Sequence, residues 1–147
     1  QGCMASRATY KRIMILQGTS FRLATTSADY RTCHTFLRSR GVNVDQLSFP
    51  TVMARRNGSV VGVLSTSPTK KMVLANPLVV EDMKNPGMTV IRLVESYENI
   101  LKLAGINSYT FFIHIGSRKW KNLVERAFEI KPYTITDDAY WYNRRLF

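Results

Sequence analysis

Residues 73–104 read VLANPLVVEDMKNPGMTVIRLVESYENILKLA, and the rest of the chain is organised around them. The stretch enters as an aliphatic strand, with Met72, Val73 and Leu74 followed by Leu78, Val79 and Val80. A polar loop holding Pro86 and Gly87 comes next. Val90, Val94, Tyr97, Leu101 and Ala104 then recur at steps of four, three, four and three, with Leu93 and Ile100 beside them. That period predicts an amphipathic helix with one core face. Arg92, Glu95, Ser96, Glu98, Asn99 and Lys102 take the other face, and Gly105 stands where a C-terminal cap belongs. A strand that delivers a glycine-containing loop to a free helix N-terminus presents unpaired backbone N–H groups at the positive end of a helix dipole. Such a site binds phosphate. The competing reading is an ordinary strand-to-helix turn in which Gly87 relieves backbone strain.

The chain has 147 residues, enough for one domain with its own core. With 45% apolar and 21% charged residues it has a globular composition. No apolar run reaches the roughly 18 residues of a membrane span, so no membrane partner is expected. Cys3 and Cys33 cannot form a disulfide framework and have no neighbours at metal-ligand spacing. No metal is expected, and a reducing, cytoplasmic setting is the default. Gln1-Gly2 reads as the remnant of a cleavable tag, residues 1–13 as that remnant plus an N-terminal extension, and residues 14–147 as the domain. The net charge of +11 steers the protein toward polyanions. The charge is spread along the chain: Arg7, Lys11 and Arg12; Arg38 and Arg40; Arg55 and Arg56; Lys70 and Lys71; Arg118, Lys119 and Lys121; Arg144 and Arg145. A solvated basic surface, a coenzyme with several phosphates, an acidic protein and nucleic acid are all compatible with it.

In chain order, a first strand is expected over residues 20–24. Thr25-Thr26-Ser27 offers N-caps for a helix over 28–40, with Asp29 in its first turn and Gly41 past its end. Tyr30, Cys33, His34 and Leu37 share that helix's apolar face, which makes His34 a packed or hydrogen-bonded histidine. Pro50 opens a strand over 51–55, Asn57-Gly58 is a two-residue hairpin signal, and the return strand covers 60–64. Residues 108–115 are apolar on both faces, the pattern of an interior strand. Trp120, Leu123, Val124, Ala127 and Phe128 mark one face of a last helix, preceded by Gly116-Ser117 as turn and cap. Strands over 133–136 and 139–144 flank the Asp137-Asp138 turn signal.

The order β, α, β, β, β, α, β, α, β, β resembles that of the GNAT superfamily, the acyl-CoA-dependent N-acyltransferases, over nearly the whole chain. Two motifs carry the resemblance. Lys84-Asn85-Pro86-Gly87-Met88-Thr89 is similar to the Q/R-x-x-G-x-G/A pyrophosphate loop, with Lys84 for Gln or Arg and Thr89 for the second Gly or Ala. The run from Ala54 through Gly58 to Val61-Gly62 is similar to that family's A-x-x-x-G-x-x-V-G hairpin. The resemblance implies a single α+β domain: a mixed, mostly antiparallel sheet, splayed between strands 4 and 5 and flanked by about three helices. It also implies acetyl-CoA as acyl donor. Backbone groups of Leu78, Val79 and Val80 would hold the pantetheine, and Lys84, Asn85, Gly87, Met88, Thr89 and Val90 the pyrophosphate. Pro86 removes one donor.

Thioester aminolysis needs a neutral amine, a polarised carbonyl and a proton for the leaving thiolate. Many members of the family use a Glu on the central strand, and a Tyr five residues before a Gly-Phe. If Ala127-Phe128 takes the Gly-Phe place, the Tyr position is Leu123, which cannot donate. Asn76 stands on the central strand where an acid is sought, and Glu81 lies only at the loop entrance. The candidate catalytic residues are therefore Asn76, to orient water or amine, and Ser117, to donate to the thiolate; a strand-breaking Asn-Pro and a helix cap are their structural alternatives. Tyr97 and Tyr109 read as core aromatics. Two functions follow: an N-acetyltransferase moving acetyl from acetyl-CoA directly to an amine acceptor, or a non-catalytic GNAT-fold module that binds nucleic acid or an acidic protein. The acceptor and the oligomeric state have no signature here.

Overall fold

The structure is a computed structural model, and it describes residues 18–147. The expected N-terminal extension, Cys3, and the basic residues Arg7, Lys11 and Arg12 lie outside the described residues. The elements are β1 (Thr19–Leu23), α1 (Ser27–Ser39), β2 (Ser48–Arg56), β3 (Ser59–Ser67), β4 (Leu74–Val80), α2 (Pro86–Leu103), β5 (Ser108–His114), α3 (Arg118–Phe128), β6 (Thr134–Ile135) and β7 (Ala139–Arg145). They form one seven-stranded sheet in the order β1-β2-β3-β4-β5-β7-β6. Every pairing is antiparallel except β4 with β5. Among the described residues no helix is long and apolar enough to cross a membrane.

Local chemistry explains most boundaries. Thr26 caps α1 in a reciprocal capping box with Asp29, whose carboxylate also accepts from Thr25 N–H and Arg22. Those bonds, Thr25's first, hold the Asp29 carboxyl below its ordinary value. Both long helices end in the same motif. Gly41 (φ +79) and Gly105 (φ +77) adopt the left-handed conformation, while Val42 and Ile106 N–H groups return to Leu37 and Leu101 carbonyls. Asn57 and Gly58 both have positive φ, as the β2–β3 hairpin requires.

Strand limits depart most from expectation at β2, β3, β4 and β6. β2 begins at Ser48 and takes Pro50 inside, at a register shift between Ser48 and Val52, the kind of irregularity where a strand tolerates proline. β3 runs to Ser67, kept paired by Ser67↔Leu74 and Thr66↔Ala75. β4 starts at Leu74 rather than Met72, because the Thr69 side chain bonds both backbone groups of Met72 and holds a turn there. β6 is only two residues long, but Tyr133 N–H to Trp141 carbonyl and Thr136 N–H to Ala139 carbonyl continue its bonding to β7 on either side.

The sheet carries a core on each face. Val52, Ala54, Leu64 and Tyr109 pack against Leu93, Tyr97 and Leu101 of α2. On the opposite face Met53 and Val63 pack against Cys33, Phe36 and Leu37 of α1, the alternation that a period of two demands. α3 lies on the α2 side, where Tyr142 hydroxyl donates to Glu125 at 2.7 Å and stacks on Phe111 at 4.7 Å. Tyr97 and Tyr109 are core aromatics, 0% and 3% exposed. Thr66 hydroxyl donates to Pro50 carbonyl, so the 2.7 Å bond between Tyr97 and Thr66 is donated by the tyrosine. His34 is hydrogen-bonded as expected, its Nε2 donating to Val44 carbonyl at 2.7 Å.

Gly62 on β3 sets the distance between α2 and the sheet. A Cβ at this position would stand 2.9 Å from Leu93 Cδ1 and 3.2 Å from Val80 Cγ2. Gly62→Ala therefore forces the fully buried Leu93 side chain, and with it Val80, to repack, and a loss of about 1–3 kcal/mol is expected in urea unfolding. Gly58→Ala is a poor control because its φ is +82; Thr35→Ala, at an exposed position of α1, is a better one.

Candidate active site

β4 and β5 share a single registered pair, Leu74↔Thr110, supported by Thr110 N–H to Val73 carbonyl at 2.8 Å. Beyond that pair the strands part, and a cavity of about 430 Å³ opens between them. Leu78, Val79 and Val80 line one wall and Phe111 to His114 the other. Val90 and Val94 of α2 and Trp120, Val124 and Phe128 of α3 close it on one side. The expected residues Asn76, Leu78, Val79, Val80, Val90 and Ser117 thus meet around one cavity. Lys84, Asn85, Gly87, Met88 and Thr89 are not on its wall; they form the turn from β4 into α2.

That turn differs from the expected loop in two respects. α2 begins at Pro86, with Asn85 as N-cap, so Gly87 lies in the first helical turn instead of in the loop. Proline suits the start of a helix, where its missing N–H would have no partner. Furthermore, the backbone donors are not all free. Asp82, with its side chain fully buried, accepts from Lys84 N–H at 2.9 Å and Asn85 N–H at 3.2 Å. It also accepts from Thr89 hydroxyl at 2.6 Å, and both of its oxygens are bonded by the Arg56 guanidinium. The Arg56 bonds chiefly, helped by Thr89 and the two backbone donors, hold the Asp82 carboxyl well below the usual carboxylate range. Thr89 is therefore a buried part of the scaffold and not a contact for a ligand. Gly87 and Met88 N–H groups keep no acceptor among the described residues, and the Asn85 side chain makes no cap bond. The expected phosphate nest narrows to these two donors, with Lys84 exposed beside them.

Asp82 and Arg56 escaped sequence reasoning because they are 26 positions apart, on different elements. The tell-tale sign was local: Asp at three residues before Asn85 in a turn of otherwise unsatisfied N–H groups. Arg56, counted among the basic residues, is spent on this bond, as Arg40 is on Glu81 and Arg144 on Glu98. Lys70, Lys71, Arg118 and Lys119 stay exposed.

Polar groups inside the cavity sort by what they already bond. Tyr109 hydroxyl donates to Glu98 at 2.6 Å, and Arg144 Nε to the same oxygen at 2.7 Å. Burial first, then the Glu98 charge, push the Tyr109 hydroxyl well above its ordinary value, so it stays protonated. Asn76 is tied to Ser67 through Nδ2 at 3.3 Å and through its carbonyl at 3.0 Å. Ser117 is the N-cap residue of α3, as the helix-cap alternative has it, but its side chain makes no cap bond, and its hydroxyl stands on the cavity wall. Leu123 is not on the wall; its Cδ2 would lie 3.6 Å from a Cβ on Gly87. α3 contributes no titratable acid to the cavity wall; its Trp120 indole N–H can donate only a hydrogen bond. His114, not singled out in the sequence, is on the wall, and its Nδ1 accepts from Gly116 N–H at 3.1 Å.

A splayed parallel pair inside an otherwise antiparallel sheet, with a helix N-terminus at its open end, is the fold of the GNAT N-acetyltransferases. Solved structures of acetyltransferases share this fold with the chain at low identity. An acetyltransferase of the GNAT family from Staphylococcus aureus Mu50 gives a TM-score of 0.61 at 11% identity, covering 88% of this chain and 99% of that one. A Salmonella typhimurium protein described as an acetyltransferase, solved with its cofactor acetyl-CoA, gives 0.64 at 13% identity, covering 88% and 94%. The ribosomal-protein-S18-alanine N-acetyltransferase from Escherichia coli gives 0.62 at 11%, covering 87% and 94%. No family model and no curated protein matches the sequence.

Proposed function

We infer that the protein is a divergent GNAT-superfamily N-acetyltransferase that takes acetyl from acetyl-CoA and passes it directly to an amine. The observation that carries this is the gap between β4 and β5: an apolar cavity of about 430 Å³, within the usual size of a small-molecule site, open beside two free helix N-terminal donors. The residues fit the donor molecule. Leu78, Val79 and Val80 would align its pantetheine through their backbone. Gly87 and Met88 N–H, with Lys84, would hold its phosphates, while Asp82 and Arg56 keep the turn rigid without competing for those two donors. Acetyl-CoA bound there supplies an acyl group whose C–S bond is exchanged for a C–N bond, the proton lost by the amine ending on the departing sulfur. Ser117 hydroxyl is an unpartnered donor on the wall able to serve that sulfur; Asn76, tied to Ser67, lends its remaining amide hydrogen to the wall.

The test is calorimetry with acetyl-CoA and CoA, beside duplex and single-stranded nucleic acid at about 150 mM salt, where weak counterion-release binding is suppressed. Saturable coenzyme binding with only salt-labile nucleic-acid affinity is expected. Tight nucleic-acid binding with no coenzyme binding would replace this function with a basic, non-catalytic module.

A further inference from the structure

We propose that His114 donates a hydrogen bond from Nε2–H to the carbonyl oxygen of the bound thioester, acting as a neutral polarising group and not as a base. This rests on the acyl-donor function above. Leu78 and His114 each lie four residues beyond the Leu74–Thr110 pair, so His114 stands at the level of Leu78 on the opposite wall of the gap. A donor aligned on the backbone of Leu78, Val79 and Val80, with its phosphates toward Gly87, brings its far end to that level. Of the polar side chains on the wall, Tyr109 and Arg144 are committed to Glu98, and Asn76 gives one of its two amide hydrogens to Ser67. Ser117 hydroxyl, the Trp120 indole N–H, the second Asn76 amide hydrogen and the far nitrogen of His114 have no partner among the described residues; of these, His114 is the one carried by β5, across the gap from Leu78.

The ring's other nitrogen decides what His114 can do. Nδ1 accepts the Gly116 N–H at 3.1 Å, so it carries a lone pair there, and the neutral imidazole holds its proton on Nε2. In this tautomer Nε2 has no lone pair with which to take a proton from the amine. It can only donate, and a neutral imidazole aimed at a carbonyl is an established way of polarising one. The ring keeps its proton throughout, so the balance of the transfer is unchanged. Sequence alternation sets His114 and Phe112 on the face that α2 and α3 do not cover, which leaves the ring accessible.

CoA has no carbonyl, so the difference between acetyl-CoA and CoA affinity isolates this contact. The parent protein is expected to prefer acetyl-CoA by about three- to tenfold, the worth of one hydrogen bond. H114A should bind CoA like the parent and lose that preference; H114Q, which restores an N–H donor, should recover part of it. An acetyl preference unchanged in H114A, or absent from the parent, overturns the proposal. Equal loss of both ligands in H114A also overturns it, by making the residue structural. A parent protein that binds neither ligand removes the acyl-donor function itself, and His114's role with it.

Discussion

Asp82→Asn is expected to cost about 3 kcal/mol of folding stability, the lower part of the range for breaking a buried ion pair. Five hydrogen bonds converge on this carboxylate: two from Arg56 and one each from Lys84 N–H, Asn85 N–H and Thr89 hydroxyl. Asparagine matches the shape but turns an NH₂ donor into that ring of donors and leaves Arg56, 17% exposed, without its counter-charge. Urea unfolding of the variant beside the parent checks the size of the loss. The pH dependence gives a second signature. Because the folded-state carboxyl is held below its unfolded value, its stabilisation is complete above the ordinary aspartate value of about 3.9 and disappears as pH falls toward the folded one. The parent should therefore lose stability in that acid range more steeply than Asp82→Asn does. An equal acid slope in the two proteins would mean that the carboxylate is not ionised in this network.

Gly87→Ala should separate stability from binding. Gly87 lies in the first turn of α2 without positive φ, and a Cβ there meets only Leu123 Cδ2, at an ordinary 3.6 Å. The fold should tolerate the methyl and gain up to about 1 kcal/mol from the better helix former. A phosphate drawn to Gly87 and Met88 N–H must instead move away from the added methyl. Losing one charge-assisted backbone bond is worth about 1.5–3 kcal/mol, so CoA affinity should fall at least about tenfold. Lys84→Ala removes only an exposed charge and should cost about fivefold or less. Calorimetry on the two variants checks the order; a stronger effect at Lys84 than at Gly87 would mean that the backbone donors do not hold the phosphate.

The elements that repeat a period were legible from the residues. Leu93, Tyr97 and Leu101 fall on the core face that their spacing fixes, and Gly41, Gly105 and Asn57-Gly58 mark turns through backbone conformations few other residues adopt. Six of the expected site residues, from Asn76 to Ser117, come together because both strands of the gap were placed correctly. What stayed hidden depends on pairs distant in sequence. Nothing near Asp82 announces Arg56 on the far end of β2, so the expected nest held two donors that the carboxylate in fact occupies. His114 reads as the end of an apolar strand until β5 is seen to leave β4 after one pair. Ser117 sat at the right place, but only the three-dimensional helix start reveals that its hydroxyl caps nothing.

Backbone amide chemical shifts during an acetyl-CoA titration test the central claim most directly, because they report where the ligand sits without requiring an acceptor. Shifts should concentrate at Leu78, Val79, Val80, Gly87 and Met88 and saturate together. Absence of shifts at millimolar ligand in a folded sample, or shifts confined to α1 and the β1–β2 half of the sheet, would contradict coenzyme binding in the gap between β4 and β5.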